Sequence, residues 1–198
     1  MVLAKHIGET MTPELAVSMA REILGMAENP IDVSQFEPSD HGSYWIACER
    51  LETILPELQA LQRRHYDETE REKEGREFSA DYERLVDMER AGQLMQFTAR
   101  LTDSGELVGS LMVYLIASVS NGALYSQEGE FYIVPEHRGG FMAVRLWQFA
   151  ERAVERAGAE ESVCESRLEN GADRLARFMK YEPRAIKFAK RLGRKDAA

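Results

Sequence analysis

The stretch from Glu130 to Val154 constrains the fold more than any other part of the chain. Phe131-Tyr132-Ile133-Val134 is a run of aromatic and β-branched residues, the composition of a packed strand. Pro135 ends it, because proline has no N–H to give to a ladder. After Arg138-Gly139-Gly140 the apolar period changes. Ala143, Leu146, Trp147, Ala150, Ala153 and Val154 recur at helical intervals and share one face, and Gly158 closes that helix. A strand that turns through glycines into a long amphipathic helix points to an α/β or α+β domain. It excludes a four-helix bundle and a β-sandwich.

The rest of the chain supplies the partners for this unit. Thr12-Pro13-Glu14 reads as a helix start, with Thr12 capping free amides and Pro13 at the first helical position. Leu15, Met19, Ile23 and Met26 follow near helical spacing, and Asn29-Pro30 stops the helix. Residues 30–43 mix Pro, Ser, Asp and Gly, as a linker does. Residues 1–43 are therefore expected to be a helical extension and linker, with the main domain over 44–198. The extension either packs on that domain or docks a protein partner, and its methionines suit both uses.

Residues 44–48 read as a strand. Leu51, Ile54, Leu55, Leu58 and Leu61 then carry a helix. The mixed charges from His65 to Arg90 mark a solvated helical face, interrupted at Gly75. Ser79 and Asp81 offer starts for a further helix with Tyr82, Leu85, Val86 and Met88 on its apolar side. Leu94–Leu101 and Leu107–Val119 form a hairpin about Asp103-Ser104-Gly105, and Asn121-Gly122 makes a second turn. Residues 161–166 read as a strand and Asn170 as the start of a helix with Leu175, Phe178 and Met179. A last strand is expected through Ala185, Ile186, Phe188 and Ala189. The expected fold is a three-layer α/β (α+β) domain.

Charge and composition narrow the function. The chain has 198 residues, with 25 Lys+Arg against 34 Asp+Glu, for a net charge of −9. A chain of this length buries roughly 70% of its unfolded surface and needs no metal or disulfide to hold a core. The acidic balance argues against nonspecific binding to nucleic acid or anionic membranes. The apolar run from Leu111 to Val119 is too short to span a bilayer, and no apolar segment after Lys5 resembles a secretory leader, so a cytoplasmic protein is expected. His6, His41, His65 and His137 are scattered, and Cys48 and Cys164 lack metal-binding spacing, so no metal is expected. Cys164 reads as a small packed residue, since no histidine accompanies it in an evident motif.

The turn from Val134 into the helix has the makings of a phosphate cradle. The first amides of a helix have no intrahelical acceptor and lie at the positive end of its dipole. Gly139 and Gly140 let a ligand approach the backbone, and Arg138 offers a planar fork suited to phosphate oxygens. The segment is neither a Walker loop nor a Gly-x-Gly-x-x-Gly dinucleotide turn. Read without a ligand, it is equally a glycine turn carrying a surface arginine.

Pro135 to Ala143 resembles the acetyl-CoA signature of the GNAT superfamily of N-acetyltransferases, Arg/Gln-x-x-Gly-x-Gly/Ala. Arg138 matches its first position and Ala143 its last. Phe141 stands at the middle glycine, with Gly140 one residue earlier. The element order from about Trp45 to Leu192 also resembles the superfamily. A narrower resemblance is to members encoded by tailed phages and prophages. It rests on His65-Tyr66-Asp67-Glu68, Tyr82, Gln93-Leu94, Thr98-Ala99-Arg100, Leu107-Val108-Gly109 and the 135–140 segment. That origin would put the protein in a bacterial host cytoplasm.

The superfamily resemblance implies a central mixed, mostly antiparallel sheet flanked by helices. Acetyl-CoA would lie where two neighbouring strands splay, paired with backbone near Ile133 and Val134. Its pyrophosphate would meet Arg138 and the amides of Gly139, Gly140, Phe141, Met142 and Ala143. A primary amine of a small molecule or peptide would attack the thioester directly. Glu130 lies where many relatives carry a base; read alone, it is also an exposed strand carboxylate, and Glu128 is an alternative. Tyr132 either reaches the reaction centre or faces the other side of the sheet.

Ala176 occupies the position where many relatives carry an acidic tyrosine, and Tyr181 reads as packing. His65 either lines an acceptor cleft or makes an ordinary hydrogen bond, and His137 borders the phosphate loop. Seven basic residues between Lys180 and Lys195 face only Glu182 and Asp196, which suits the ribose phosphate of CoA or a solvated terminus. An exposed sheet edge would allow a homodimer. Phe141 and Ala176 also admit a reading as an interaction protein that retains the fold, docking through its N-terminal helix.

Overall fold

A computed structural model describes residues 6–23, 30–69, 77–166 and 173–188. The chain divides into two compact units, Met1–Glu165 and Ser166–Ala198.

The first unit holds a six-stranded sheet whose strands lie side by side in chain order. They are β1 (Ser39–Asp40), β2 (Tyr44–Cys48), β3 (Leu94–Leu101), β4 (Leu107–Ala117), β5 (Leu124–Ile133) and β6 (Glu161–Val163). Each pairs antiparallel with its predecessor except β6, which runs parallel to β5. The helices of this unit are α1 (Pro13–Ile23), α2 (Leu51–Thr69), α3 (Tyr82–Arg90) and α4 (Met142–Arg156). This is the three-layer arrangement read from the sequence, with a mixed, mostly antiparallel sheet between helices. Parallel neighbours need a crossover, and α4 supplies it between β5 and β6.

Alternation along β5 shows which helix covers which face. Phe131 meets Trp147 of α4 edge-on at 5.1 Å, while Glu130 and Tyr132 meet side chains of α2. Leu94, Phe97, Val108 and Leu111 of β3 and β4 are almost fully buried, as are Leu146 of α4 and Leu58 of α2.

Two polar anchors hold α2 in place. Arg100 of β3 donates to Glu49 at 2.7 Å, to Glu57 of α2 at 2.5 Å and to the Gly105 carbonyl at 2.9 Å. Glu89 of α3 accepts the Leu51 amide at 2.9 Å, so a buried carboxylate from a neighbouring helix satisfies an open N–H of α2. Burial pushes the Glu89 carboxyl above its usual range, against the opposing effect of that amide.

Several local signals read from the sequence act as expected. Thr12 Oγ1 accepts the Leu15 amide at 3.2 Å, and Asp81 accepts the Arg84 amide at 3.1 Å and caps α3. Gly105 turns the β3–β4 hairpin with φ +74°. Met26, Asn29, Gly75 and Asn170 lie outside the described residues.

Three readings change. The strand expected at Phe131–Val134 begins at Leu124, because β4 pairs with it over nine positions although residues 124–130 show no strand-like alternation. Ser39–Asp40, within the segment read as linker, pairs with β2. In the second unit, Asp173–Phe178 forms α5, with an Asp173–Arg177 ion pair at 3.4 Å. Residues 181–188 form no strand, since an apolar run becomes one only where a neighbouring edge accepts its ladder; Ala189 lies outside the described residues.

Candidate active site

Strand β5 runs past the end of its neighbour. Tyr125–Gln127 pair with Glu161–Val163 of β6, and among the described residues the rest of the strand to Ile133 pairs with β4 alone. The Val134 amide donates to Val108 at 2.9 Å, which fixes the phase of the ladder. Residues 130, 132 and 134 therefore bond toward β4. Phe131 and Ile133 turn their N–H and C=O groups toward the open side. Ile133 is buried, so what it offers at this opening is backbone, whereas Val134 gives its N–H to Val108 and its C=O to the His137 amide.

The ladder slips between Met112 and Val113: Met112 faces Glu130 and Val113 faces Glu128. Gly129 is the extra residue of this bulge. A Cβ there would lie 2.4 Å from Cε2 of Tyr114, so the ring of Tyr114 occupies the space a side chain would need. The bulge shifts the alternation by one. Without it Glu128 and Glu130 would share a face. With it, Glu128 faces α4 beside Trp147 and Glu151, and Glu130 faces α2.

On the α2 face a continuous polar network forms. Gln62 Nε2 donates to Glu130 Oε2 at 2.7 Å, and His65 Nδ1 lies 3.1 Å from Glu130 Oε1. The His65 ring stacks on Tyr132 at 4.9 Å. The Tyr132 hydroxyl donates to Glu68 Oε2 at 2.8 Å. Glu68 in turn accepts both terminal nitrogens of Arg138, at 2.6 and 2.9 Å. Gln62, His65 and Glu68 are three residues apart on α2 and lie in one row above the strand.

Hydrogen bonds from Arg138 pull the Glu68 carboxyl below its usual range, aided by Tyr132 and against the opposing effect of burial. Burial and Glu68 together raise the Tyr132 phenol, so it keeps its proton at neutral pH. Burial raises the Glu128 carboxyl on the opposite face, although the Glu165 amide at 3.3 Å opposes this.

The residues expected from the sequence to form a phosphate loop lie at the end of the same strand. Pro135–His137 make one 3-10 turn, and Gly139 has φ +94°, a conformation that side-chain-bearing residues rarely adopt. A Cβ on Gly140 would meet nothing within 4 Å. Phe141 precedes α4 and offers no side-chain cap, leaving the amides of Met142, Ala143 and the next residue without an intrahelical acceptor. The Phe141 ring is exposed, with Arg145 over it at 6.0 Å. Arg138 folds back over Tyr132 and donates Nε to the Ile133 carbonyl at 2.7 Å, besides pairing with Glu68.

An open cleft of about 530 Å³ adjoins Glu130, lined among others by Gln62, Phe78, Asp81, Arg84, Met112 and Gly129. Burial raises the Cys48 thiol to about 12 and the Cys164 thiol to about 11, which disfavours the thiolate a nucleophile needs. Among the described residues no cluster of three or more His, Cys, Asp or Glu could hold a metal ion. Among them, no helix is long and apolar enough to cross a membrane.

The structure thus gathers Glu130, Tyr132, Ile133 and Arg138 at one strand end, with Gly139, Gly140, Phe141, Met142 and Ala143 beginning the helix that follows. Ala176 lies in α5 of the second unit. Gln62 and Glu68 had no assigned role in the sequence reading. Their signal is the row Leu51, Ile54, Leu58, Leu61, which continues along α2 in polar residues at Gln62, His65 and Glu68.

No protein-family model matches the chain, and no curated protein is significantly similar to it. Solved structures do match. An aminoglycoside acetyltransferase from an uncultured soil metagenomic sample, in complex with sisomicin, is 14% identical with a TM-score of 0.62, and the match covers 82% of this chain and 100% of that one. A ribosomal-protein-alanine N-acetyltransferase from Brucella melitensis biovar Abortus 2308 is 17% identical with a TM-score of 0.59, over 76% and 99% of the two chains. Glucosamine-6-phosphate N-acetyltransferase from Arabidopsis thaliana is 11% identical with a TM-score of 0.60, over 76% and 99%. The chain has the fold of these acetyltransferases, the GNAT fold.

Proposed function

We propose that the protein is an acetyl-CoA-dependent N-acetyltransferase acting on a primary amine by direct attack in a ternary complex. The observation that carries this reading is the open side of β5: among the described residues no strand pairs with the outer backbone groups of Phe131 or with the N–H of Ile133, whose C=O is held by Arg138, and the chain runs from there to an uncapped helix start beyond Gly139 and Gly140. These features fit a long ligand with a peptide-like arm and a pyrophosphate end. The residues that would hold acetyl-CoA are Ile133 and Val134 along its arm and Arg138, Gly139, Gly140, Phe141, Met142 and Ala143 at its phosphates.

Bound there, acetyl-CoA supplies a thioester carbon to which the amine nitrogen bonds, and its sulfur leaves with the electron pair. Glu130 is the base that takes the proton of the amine. Gln62 and His65 hold both its oxygens, so it is positioned without rearrangement. Tyr132 carries a retained phenol proton on the same face and is the proposed acid.

Arg138 must exchange Glu68 for a phosphate, a swap of one charge-assisted fork for another. The resemblance to phage- and prophage-encoded members, with the host cytoplasm it implies, enters this reading on the sequence alone.

A second reading, an interaction protein on a retained fold, draws on the exposed Phe141 and on Met11 and Val17 at the amino-terminal helix. Incubation with acetyl-CoA and a set of primary amines, followed by mass spectrometry, separates the two. An acetylated amine formed only with protein present supports the enzyme; no product from any amine, with folded protein, favours the second reading.

A further inference from the structure

The cleft beside Glu130 is built to distinguish one kind of amine from another. Among the described residues its charged lining is Glu130, Asp81 and Arg84, two carboxylates and one guanidinium, for a net −1. Asp81 already spends one oxygen on the Arg84 amide as the cap of α3. Most of the remaining wall is apolar, formed by Phe78, Leu85, Met88, Met112 and the ring of Tyr114.

Gln62 adds an independent sign of a ligand. Its side chain is buried to within 3% of full exclusion from solvent and lines the same cleft. A carboxylate only accepts hydrogen bonds, so the Gln62 amide must present Nε2 to Glu130, and this leaves Oε1 as an acceptor. Among the described residues that Oε1 has no partner. A buried acceptor left unsatisfied costs about 1–3 kcal/mol, and a donor arriving through the cleft that Gln62 lines would remove that cost. An amine N–H is such a donor, and Glu130 beside it would receive its proton.

Resting on the acetyltransferase reading above, we infer that the acceptor is a monoamine carried on an apolar body, an arylalkylamine or alkylamine. Its nitrogen donates to Gln62 Oε1 next to Glu130. Its body lies against Phe78, Met88 and Met112, and the methionines adapt to rings and chains alike. Polyamines and amino sugars are selected against. The further cations of a polyamine would meet Arg84 and an apolar wall, with only the partly engaged Asp81 to pair with, and the hydroxyls of an amino sugar would lose their water against that wall.

The test measures kcat/KM with acetyl-CoA for 2-phenylethylamine, hexylamine, spermidine and glucosamine. The first two are expected to exceed the last two by about tenfold or more, the equivalent of one desolvated charge or lost hydrogen bond. A preference for spermidine or glucosamine would overturn the inferred class while leaving the acetyltransferase reading intact. Arg84→Glu, at an exposed position, is expected to shift the ratio toward spermidine by about tenfold; an unchanged ratio contradicts the charge argument.

Direct calorimetric binding of 2-phenylethylamine separates the site from the chemistry. Gln62→Leu should weaken amine binding about tenfold and leave desulfo-CoA affinity unchanged. Amine binding without turnover would support the cleft assignment and count against the acetyltransferase reading. Absence of amine binding in folded wild-type protein would overturn the inference.

Discussion

Glu128 and Glu130 stand two residues apart on β5 but meet different surroundings. Glu128 lies against α4, among Trp147, Ala150 and Val154, where burial raises its carboxyl. Glu130 lies under α2, held by Gln62 and His65 at the wall of an open cleft. One inserted glycine separates them. A β-bulge moves a side chain across a sheet without moving the strand, so residue type and spacing alone do not tell which carboxylate can reach a substrate.

The largest expected effect is the split between the two carboxylates. Glu130→Gln should lower turnover by about 10²–10⁴-fold, the usual contribution of a positioned base, with little change in acetyl-CoA affinity. Glu128→Gln should leave turnover within a few-fold. Steady-state rates of both variants check this, and equal losses would break the comparison.

Gly129→Val tests the device that separates the faces. Its side chain meets the Tyr114 ring. The variant is expected to lose about 1–3 kcal/mol of stability, as overpacked sites do, and to lose activity along with it. A denaturant titration with wild-type stability would show that the bulge does not depend on glycine.

A smaller effect is the pH dependence of stability. Glu128 and Glu89 have raised carboxyl pKa values in the folded chain, so the native state binds more protons than the unfolded state above pH ~4.3. Their contribution therefore falls as pH rises from there through the raised values. Glu68 runs the other way: its lowered carboxyl stabilises above the unfolded pKa, and that stability is lost as pH falls through the folded one. Urea unfolding across this range should show a shallower decline with rising pH in Glu128→Gln and a weaker loss in acid in Glu68→Gln. Unchanged slopes would contradict these assignments.

The smallest effect concerns Glu68 as competitor for Arg138, an ion pair whose side chains are 35% and 42% exposed. Glu68→Gln should tighten CoA binding a few-fold, in keeping with the modest strength of such pairs. Weaker binding instead would show that Glu68 holds Arg138 ready for the ligand.

The fold was largely legible because each element carries its own local signal. Thr12 and Asp81 cap helices, Gly105 turns a hairpin, and the stripe from Ala143 to Val154 marks α4. The first half of β5 was hidden because its identity lies in pairing with β4, which leaves no period in Tyr125-Ser126-Gln127-Glu128-Gly129. In the candidate site, the loop residues were visible as a linear motif. The row Gln62, His65 and Glu68 was not, since it becomes a site only when α2 is laid across β5 and Glu57 and Glu89 anchor that helix. Nor did spacing separate Glu128 from Glu130, because a glycine in a strand does not announce a bulge until its partner strand is known.

Acetyl-CoA is proposed to bind along the open side of β5 and at the start of α4. Calorimetric titration with acetyl-CoA, using desulfo-CoA as an unreactive analogue, tests it directly, with Arg138→Glu alongside. Saturable binding at about one ligand per chain is expected, weakened at least about tenfold in Arg138→Glu with the fold intact. No binding at millimolar ligand by demonstrably folded protein, or the same affinity in the variant, would contradict it.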